Sequence, residues 1–127
     1  MGKKKNRIPY TYVEPKEEFY NDSNYNLSIL PSMILNAGRG VYTAEMIPEN
    51  SYIGKYCGQR QYYMNCGSYF VKFLDKPGGI DAITFPRCYM AMINDAYHSN
   101  FTNNCEIRIN ENNQIEIWSI LDICAGE

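Results

Sequence analysis

Cys105-Glu106-Ile107-Arg108-Ile109 and Ile115-Glu116-Ile117-Trp118-Ser119-Ile120 alternate apolar with polar residues on either side of Asn110-Glu111-Asn112-Asn113. A period of two sends successive side chains to opposite faces of a strand, and asparagine tolerates tight turns, so the stretch predicts a hairpin. Upstream, Asp75-Lys76-Pro77-Gly78-Gly79 is a turn by composition, because proline presets one dihedral and glycine permits positive φ. It joins the apolar run from Tyr69 to Leu74 to Ile80-Asp81-Ala82-Ile83 as a second hairpin. Leu27-Ser28-Ile29-Leu30, Gly40-Val41-Tyr42-Thr43-Ala44 and Tyr52-Ile53-Gly54-Lys55-Tyr56 lie between turn signals and read as strands. Helical periodicity is weak, limited to a turn around Glu17 to Tyr20, a segment at Tyr62 to Asn65 and another around Tyr89 to Ile93. The fold class is therefore mainly β.

A chain of 127 residues suits one domain that buries roughly two-thirds of its unfolded surface. Residues 1–26, with their charges, Pro9, Pro15 and Asn21-Asp22-Ser23-Asn24, read as an N-terminal arm, partly disordered, ahead of a domain spanning 27–127. The 12 basic and 14 acidic side chains nearly cancel, leaving no large positive field to hold a nucleic-acid backbone. A small β-rich single-strand binder that stacks bases on tyrosines, with Lys3-Lys4-Lys5-Asn6-Arg7 for phosphates, remains a remote alternative. That basic start reads more simply as a solvated terminus.

The five cysteines contain no C-x-x-C pair, and their odd number argues against a closed disulfide framework. The expectation is an intracellular protein, nuclear or cytoplasmic. No apolar run approaches the roughly 20 residues that span a bilayer, so no membrane partner is expected.

Single motifs say little about chemistry. Asn36-Ala37-Gly38-Arg39-Gly40 brackets a cation with two glycines, which lets backbone groups approach a ligand while the guanidinium reaches a carboxylate. An ordinary tight turn explains the same residues. His98 is the sole histidine, which excludes metal sites built on several histidines, and no metal is expected. Cys105 would serve as a nucleophile only if His98 folded back onto it.

The order of the pieces is more informative. Ile29-Leu30-Pro31-Ser32, Ala37-Gly38-Arg39-Gly40-Val41-Tyr42, Ile47-Pro48-Glu49-Asn50-Ser51-Tyr52-Ile53 and Tyr56-Cys57-Gly58 look like the opening of a SET domain. Tyr69-Phe70-Val71-Lys72-Phe73, Ile80-Asp81-Ala82, Met92-Ile93-Asn94-Asp95, Asn103-Asn104-Cys105 and Ile120-Leu121-Asp122-Ile123-Cys124-Ala125-Gly126-Glu127 resemble its later blocks. The resemblance, from Leu27 to Glu127, is to the SET-domain protein-lysine methyltransferases. It implies a SET-like fold of several short, small β-sheets with few short helices. By the same resemblance, the activity is S-adenosylmethionine-dependent lysine methylation, and the partner is a basic protein or peptide such as a histone tail, as in chromatin modification. An oligomer is compatible with it.

Carried over by position, the resemblance implies that Gly38, Arg39 and Gly40 hold the methionine end of the cofactor. Tyr69 would lie near the sulfonium or the target lysine, Asn94 and Asp95 would bind the cofactor's other edge, and Tyr56 would line the lysine channel, making Tyr56 and Tyr69 the catalytic candidates. Tyr97-His98-Ser99 also looks like the family's asparagine-histidine-serine signature, but the apolar run Met90-Ala91-Met92-Ile93 favours Asn94-Asp95. At that placement Asp95 stands where the family has histidine, and Ala91 where it has arginine. The family's pattern continues past Gly-Glu with a strand and a tyrosine-bearing segment that closes the lysine channel, whereas this sequence stops at Glu127. A domain truncated at its C-terminus, closed by another chain, or acting as a non-catalytic peptide-binding module is the expectation.

Overall fold

The computed structural model describes residues 16–97 and 99–127. Among these described residues, ten short strands and one 3-10 helix follow in order: β1 (Phe19–Tyr20), β2 (Leu27–Pro31), β3 (Arg39–Thr43), β4 (Tyr52–Tyr56), β5 (Gln59–Gln61), β6 (Phe70–Lys72), β7 (Gly79–Asp81), β8 (Arg87–Cys88), the helix Tyr89–Met92, β9 (Cys105–Ile109) and β10 (Ile115–Ser119). They form four small sheets, ordered β1-β8, β2-β3, β4-β10-β9 and β5-β7-β6. The expectation of a mainly β fold of several short, small sheets agrees with this architecture.

Both predicted hairpins form. β9 and β10 pair antiparallel from Ile109↔Ile115 to Cys105↔Ser119, and Asn113 at φ 58 takes the left-handed turn position that asparagine accepts. Ile115, Ile117 and Ser119 face inward, while Glu116 and Trp118 face outward, where the Trp118 indole donates to Glu116 Oε1 at 3.0 Å. β6 and β7 pair with Lys72 opposite Gly79, and Phe73 N closes the turn on Gly78 O at 2.9 Å.

The sheets surround one core containing Ile47, Ile53, Phe73, Met90, Ile115 and Ile123. Ile47 and Ile123 exchange two backbone hydrogen bonds, each 2.8 Å, which ties the last turn of the described chain to the segment before β4. Gly126 and Glu127 bond in turn to Thr43 at the end of β3.

Two helical expectations give way. Glu17 to Tyr20 is not a helical turn: Phe19 and Tyr20 pair in parallel with Arg87 and Cys88, and Arg87 N bonds Glu18 O at 2.8 Å. Tyr62 to Asn65 is an irregular loop whose side chains Tyr62, Tyr63 and Met64 point to solvent. In both segments no apolar stripe rewards helix formation, and tertiary pairing decides the first. The third segment is helical, as the four-residue 3-10 helix. From residue 16 onward, the expected arm is docked on the domain; its earlier part, with Lys3-Lys4-Lys5, and His98 lie outside the described residues.

Candidate functional site

Strand alternation sends Arg39 and Gly40 to opposite sides of β3. Gly40 is buried against Asn94: a Cβ at this position would lie 2.9 Å from Asn94 Nδ2. Asn94 Nδ2 in turn donates to Ser32 Oγ at 2.8 Å. The glycine-flanked turn and the distant asparagine therefore meet in space, joined through Ser32. Gly38, at φ 68, has open space where a side chain would be, so its backbone is accessible.

Arg39 leaves in the other direction. Its guanidinium pairs with Glu17 at 2.9 Å and lies over the Phe19 ring at 5.1 Å. The carboxylate it reaches in this structure belongs to the chain itself.

Beside Asn94 opens a cleft of about 410 Å³, with Tyr56, Met90, Asp95, Asn103 and Glu106 among its lining residues. Gly38, Arg39, Gly40 and Tyr69 are not among them. Asp95 is committed locally, since its Oδ1 accepts from Tyr97 N at 2.9 Å and Asn103 Nδ2 at 3.3 Å. Asn103 Oδ1 accepts from Ala96 N at 2.8 Å, so the two side chains brace the segment that presents Asn94.

Tyr56 comes from the inward face of β4 and is 7% exposed. Its hydroxyl donates to Tyr69 O at 2.5 Å. Burial, with the neighbouring Cys88 and Asp81, pushes the phenol pKa up, while Arg87 opposes the shift, so the group stays a neutral donor at physiological pH. Tyr69 thus supplies a backbone acceptor to the cleft residue, and its ring is turned to Arg87, whose Cζ lies 4.0 Å from the ring centroid.

Cys105 lines both this cleft and a smaller apolar cavity of about 60 Å³ that shares Met90 and Ile93 with it. Burial raises the thiol to about 11, which keeps it a poor nucleophile at neutral pH. A thiol held neutral in the fold and ordinary in the unfolded chain makes stability fall as pH rises through the interval from about 8.5 to about 11. Denaturant midpoints measured across that interval should decline less steeply in Cys105→Ala. Equal slopes would show that other groups, such as Tyr20, raised to about 12 mainly by burial, carry the dependence.

The sequence did not point to Ser32 as a partner for Asn94, nor to Arg87. For Ser32 the only available signal was its place in a resembling block. For Arg87 there was none, since a cation after Phe85-Pro86 reads as an exposed loop residue.

Comparison with solved structures places the fold. The methyltransferase domain of human PR domain-containing protein 2 superposes with a TM-score of 0.68 at 16% identity, covering 94% of this chain and 90% of that one. The Chaetomium thermophilum polycomb repressive complex 2 matches with a TM-score of 0.65 at 23% identity over 81% of this chain. The chain has the SET fold. A further SET-fold match is ctPRC2 in an autoinhibited conformation bound to S-adenosylmethionine, with a TM-score of 0.60 at 20% identity. The chain spans 14% of the matched chain in each of these complexes. No family model and no curated protein sequence matches it.

Proposed function

We propose that this SET-fold domain transfers a methyl group from S-adenosylmethionine to a lysine amine of a basic protein or peptide, such as a histone tail. The observation that carries the proposal is the contact of Gly40 with Asn94 at the edge of a cleft that also contains Tyr56. The residues fit the cofactor: Gly38 exposes backbone, Gly40 leaves room for the Asn94 amide, and Asn94 and Asp95 border open volume. Among the solved matches, ctPRC2 is bound to S-adenosylmethionine.

The chemistry that S-adenosylmethionine supplies is an in-line displacement, in which the S–CH3 bond breaks as the N–CH3 bond forms and positive charge moves from sulfur to nitrogen. The chain's own part is alignment and control of the amine proton, which leaves to solvent before transfer. Moving an amine from a reference pKa near 10.4 to neutrality at pH 7 costs about 4–5 kcal/mol. The apolar lining from Met90, Ile93 and Ile117 disfavours the ammonium and reduces that cost. Tyr56 commits its only O–H to Tyr69 O, so its remaining lone pairs are available as acceptors at the cleft. Asp95, at the rim of the cleft, attracts a basic segment. All five thiols are free, which suits a reducing nuclear or cytoplasmic location.

A second reading, a non-catalytic SET-like module, is favoured by Arg39, whose charge is already paired with Glu17 within the chain. Calorimetric titration with S-adenosylmethionine separates the two. Binding to the wild type that weakens about tenfold or more in Asn94→Ala is the expected result. A folded wild type that takes up no heat would overturn the transferase in favour of the module.

A further inference from the structure

Arg87 is 6% exposed, and among the described residues no carboxylate lies within ion-pair distance of it. An arginine in such a place carries a desolvation cost of several kcal/mol unless its donors and faces are matched. Here they are matched by neutral groups. Nε donates to Ala82 O at 3.0 Å, one terminal nitrogen donates to Ile83 O, and the other meets Met92 Sδ at 3.7 Å. The guanidinium also lies over two aromatic rings, Tyr69 at 4.0 Å and Phe85 at 4.1 Å. Phe85 is packed edge-on by Phe19 of β1 at 5.7 Å.

The carbonyl of Tyr69 is the acceptor of the Tyr56 hydroxyl and also of Ala82 N at 3.0 Å. Arg87 therefore grips both residues that define this carbonyl, Tyr69 through its ring and Ala82 through its oxygen. We propose that Arg87 is a positioning residue that fixes the Tyr69 carbonyl and so holds the Tyr56 hydroxyl as an acceptor, not a donor, toward the cleft.

The consequence rests on the transferase reading above. An amine nucleophile must keep its lone pair aimed at the methyl carbon. A hydroxyl freed from Tyr69 would donate its hydrogen to that lone pair and compete with transfer. The residues proposed above to hold the methyl donor, Gly38, Gly40, Asn94 and Asp95, are not among the partners of Arg87, so its loss acts on turnover more than on donor affinity.

The test uses the full chain with 13Cζ-labelled tyrosine, with the Tyr56 resonance assigned through Tyr56→Phe, and mixed core histones as methyl acceptors. Arg87→Met is expected to move the Tyr56 resonance, to lower kcat about tenfold or more, and to leave KM for S-adenosylmethionine within about twofold. Arg87→Lys keeps a cation and one donor at the ring, and should restore the resonance and at least half of the lost turnover. Should Arg87→Met not fold, Tyr69→Leu keeps the carbonyl but removes the ring that Arg87 grips, and is expected to move the Tyr56 resonance in the same way. A Tyr56 resonance unmoved in a folded Arg87→Met or Tyr69→Leu protein overturns the proposal, even if the wild type transfers methyl groups. A wild type that transfers none, with the resonance moving as described, overturns the transferase reading and leaves the positioning role standing.

Discussion

Gly79→Ala is expected to destabilise the domain by roughly 3 kcal/mol, at the upper end of what overpacking usually costs. A Cβ at Gly79 would sit 2.0 Å from Val71 O and 2.8 Å from Val71 C, both backbone atoms of the neighbouring strand β6, and 2.8 Å from Phe70 Cζ. Backbone cannot swing aside as a side chain can, so β6 and β7 would have to part. The reduced chain entropy that alanine brings to the unfolded state recovers only about 0.4–1 kcal/mol. β6 directly follows Tyr69, and β7 ends in Asp81, whose carboxylate accepts from Asn65 at 3.0 Å and from Gln61 at 3.4 Å, so the Tyr56–Tyr69 pair should loosen with the sheet. Urea unfolding should show a lower midpoint with an unchanged slope. An unchanged midpoint would mean that the β6–β7 register is not the one described.

Gly40→Ala is the complementary case, large in function and small in stability. The atom a new Cβ would strike, Asn94 Nδ2 at 2.9 Å, is the far end of a side chain and is free to rotate away. The strain is relieved, and the entropic gain of replacing glycine offsets part of it, so stability should change by less than about 1 kcal/mol. The rotation breaks the Asn94–Ser32 bond and turns the amide out of place. On the proposed function, affinity for S-adenosylmethionine should then fall about tenfold, equivalent to about 1.4 kcal/mol. Calorimetry alongside thermal melting checks both halves. Unchanged donor affinity in the stable variant would separate the Gly40–Asn94 contact from cofactor binding.

The two variants differ because one glycine faces backbone and the other faces a side chain, a distinction with no trace in the sequence. The same limit appears elsewhere. The hairpins at residues 70–81 and 105–119 were legible because period-two patterning and turn residues are local, and each strand finds its partner a few residues away. β1 was not legible, since a two-residue strand pairing with β8 nearly 70 positions later carries no local pattern. The strand carrying Tyr56 was readable, and the resemblance implied a channel role for it, but the acceptor of its hydroxyl was not legible. Arg39 looked like a cation awaiting a ligand's carboxylate, and the structure gives it Glu17 instead.

By itself, the sequence determined the β class, the two tight hairpins and the order of blocks from Leu27 to Glu127, because strand alternation and turn chemistry are written in neighbouring residues. Tertiary structure alone decided which groups share a space: Gly40 with Asn94 and Ser32, Tyr56 with the Tyr69 carbonyl, and Arg87 with two rings. Those contacts join segments that lie up to 62 residues apart in the chain. They arise when several small sheets close over one core, and the packing of that core, to which no single segment holds the key, sets their geometry.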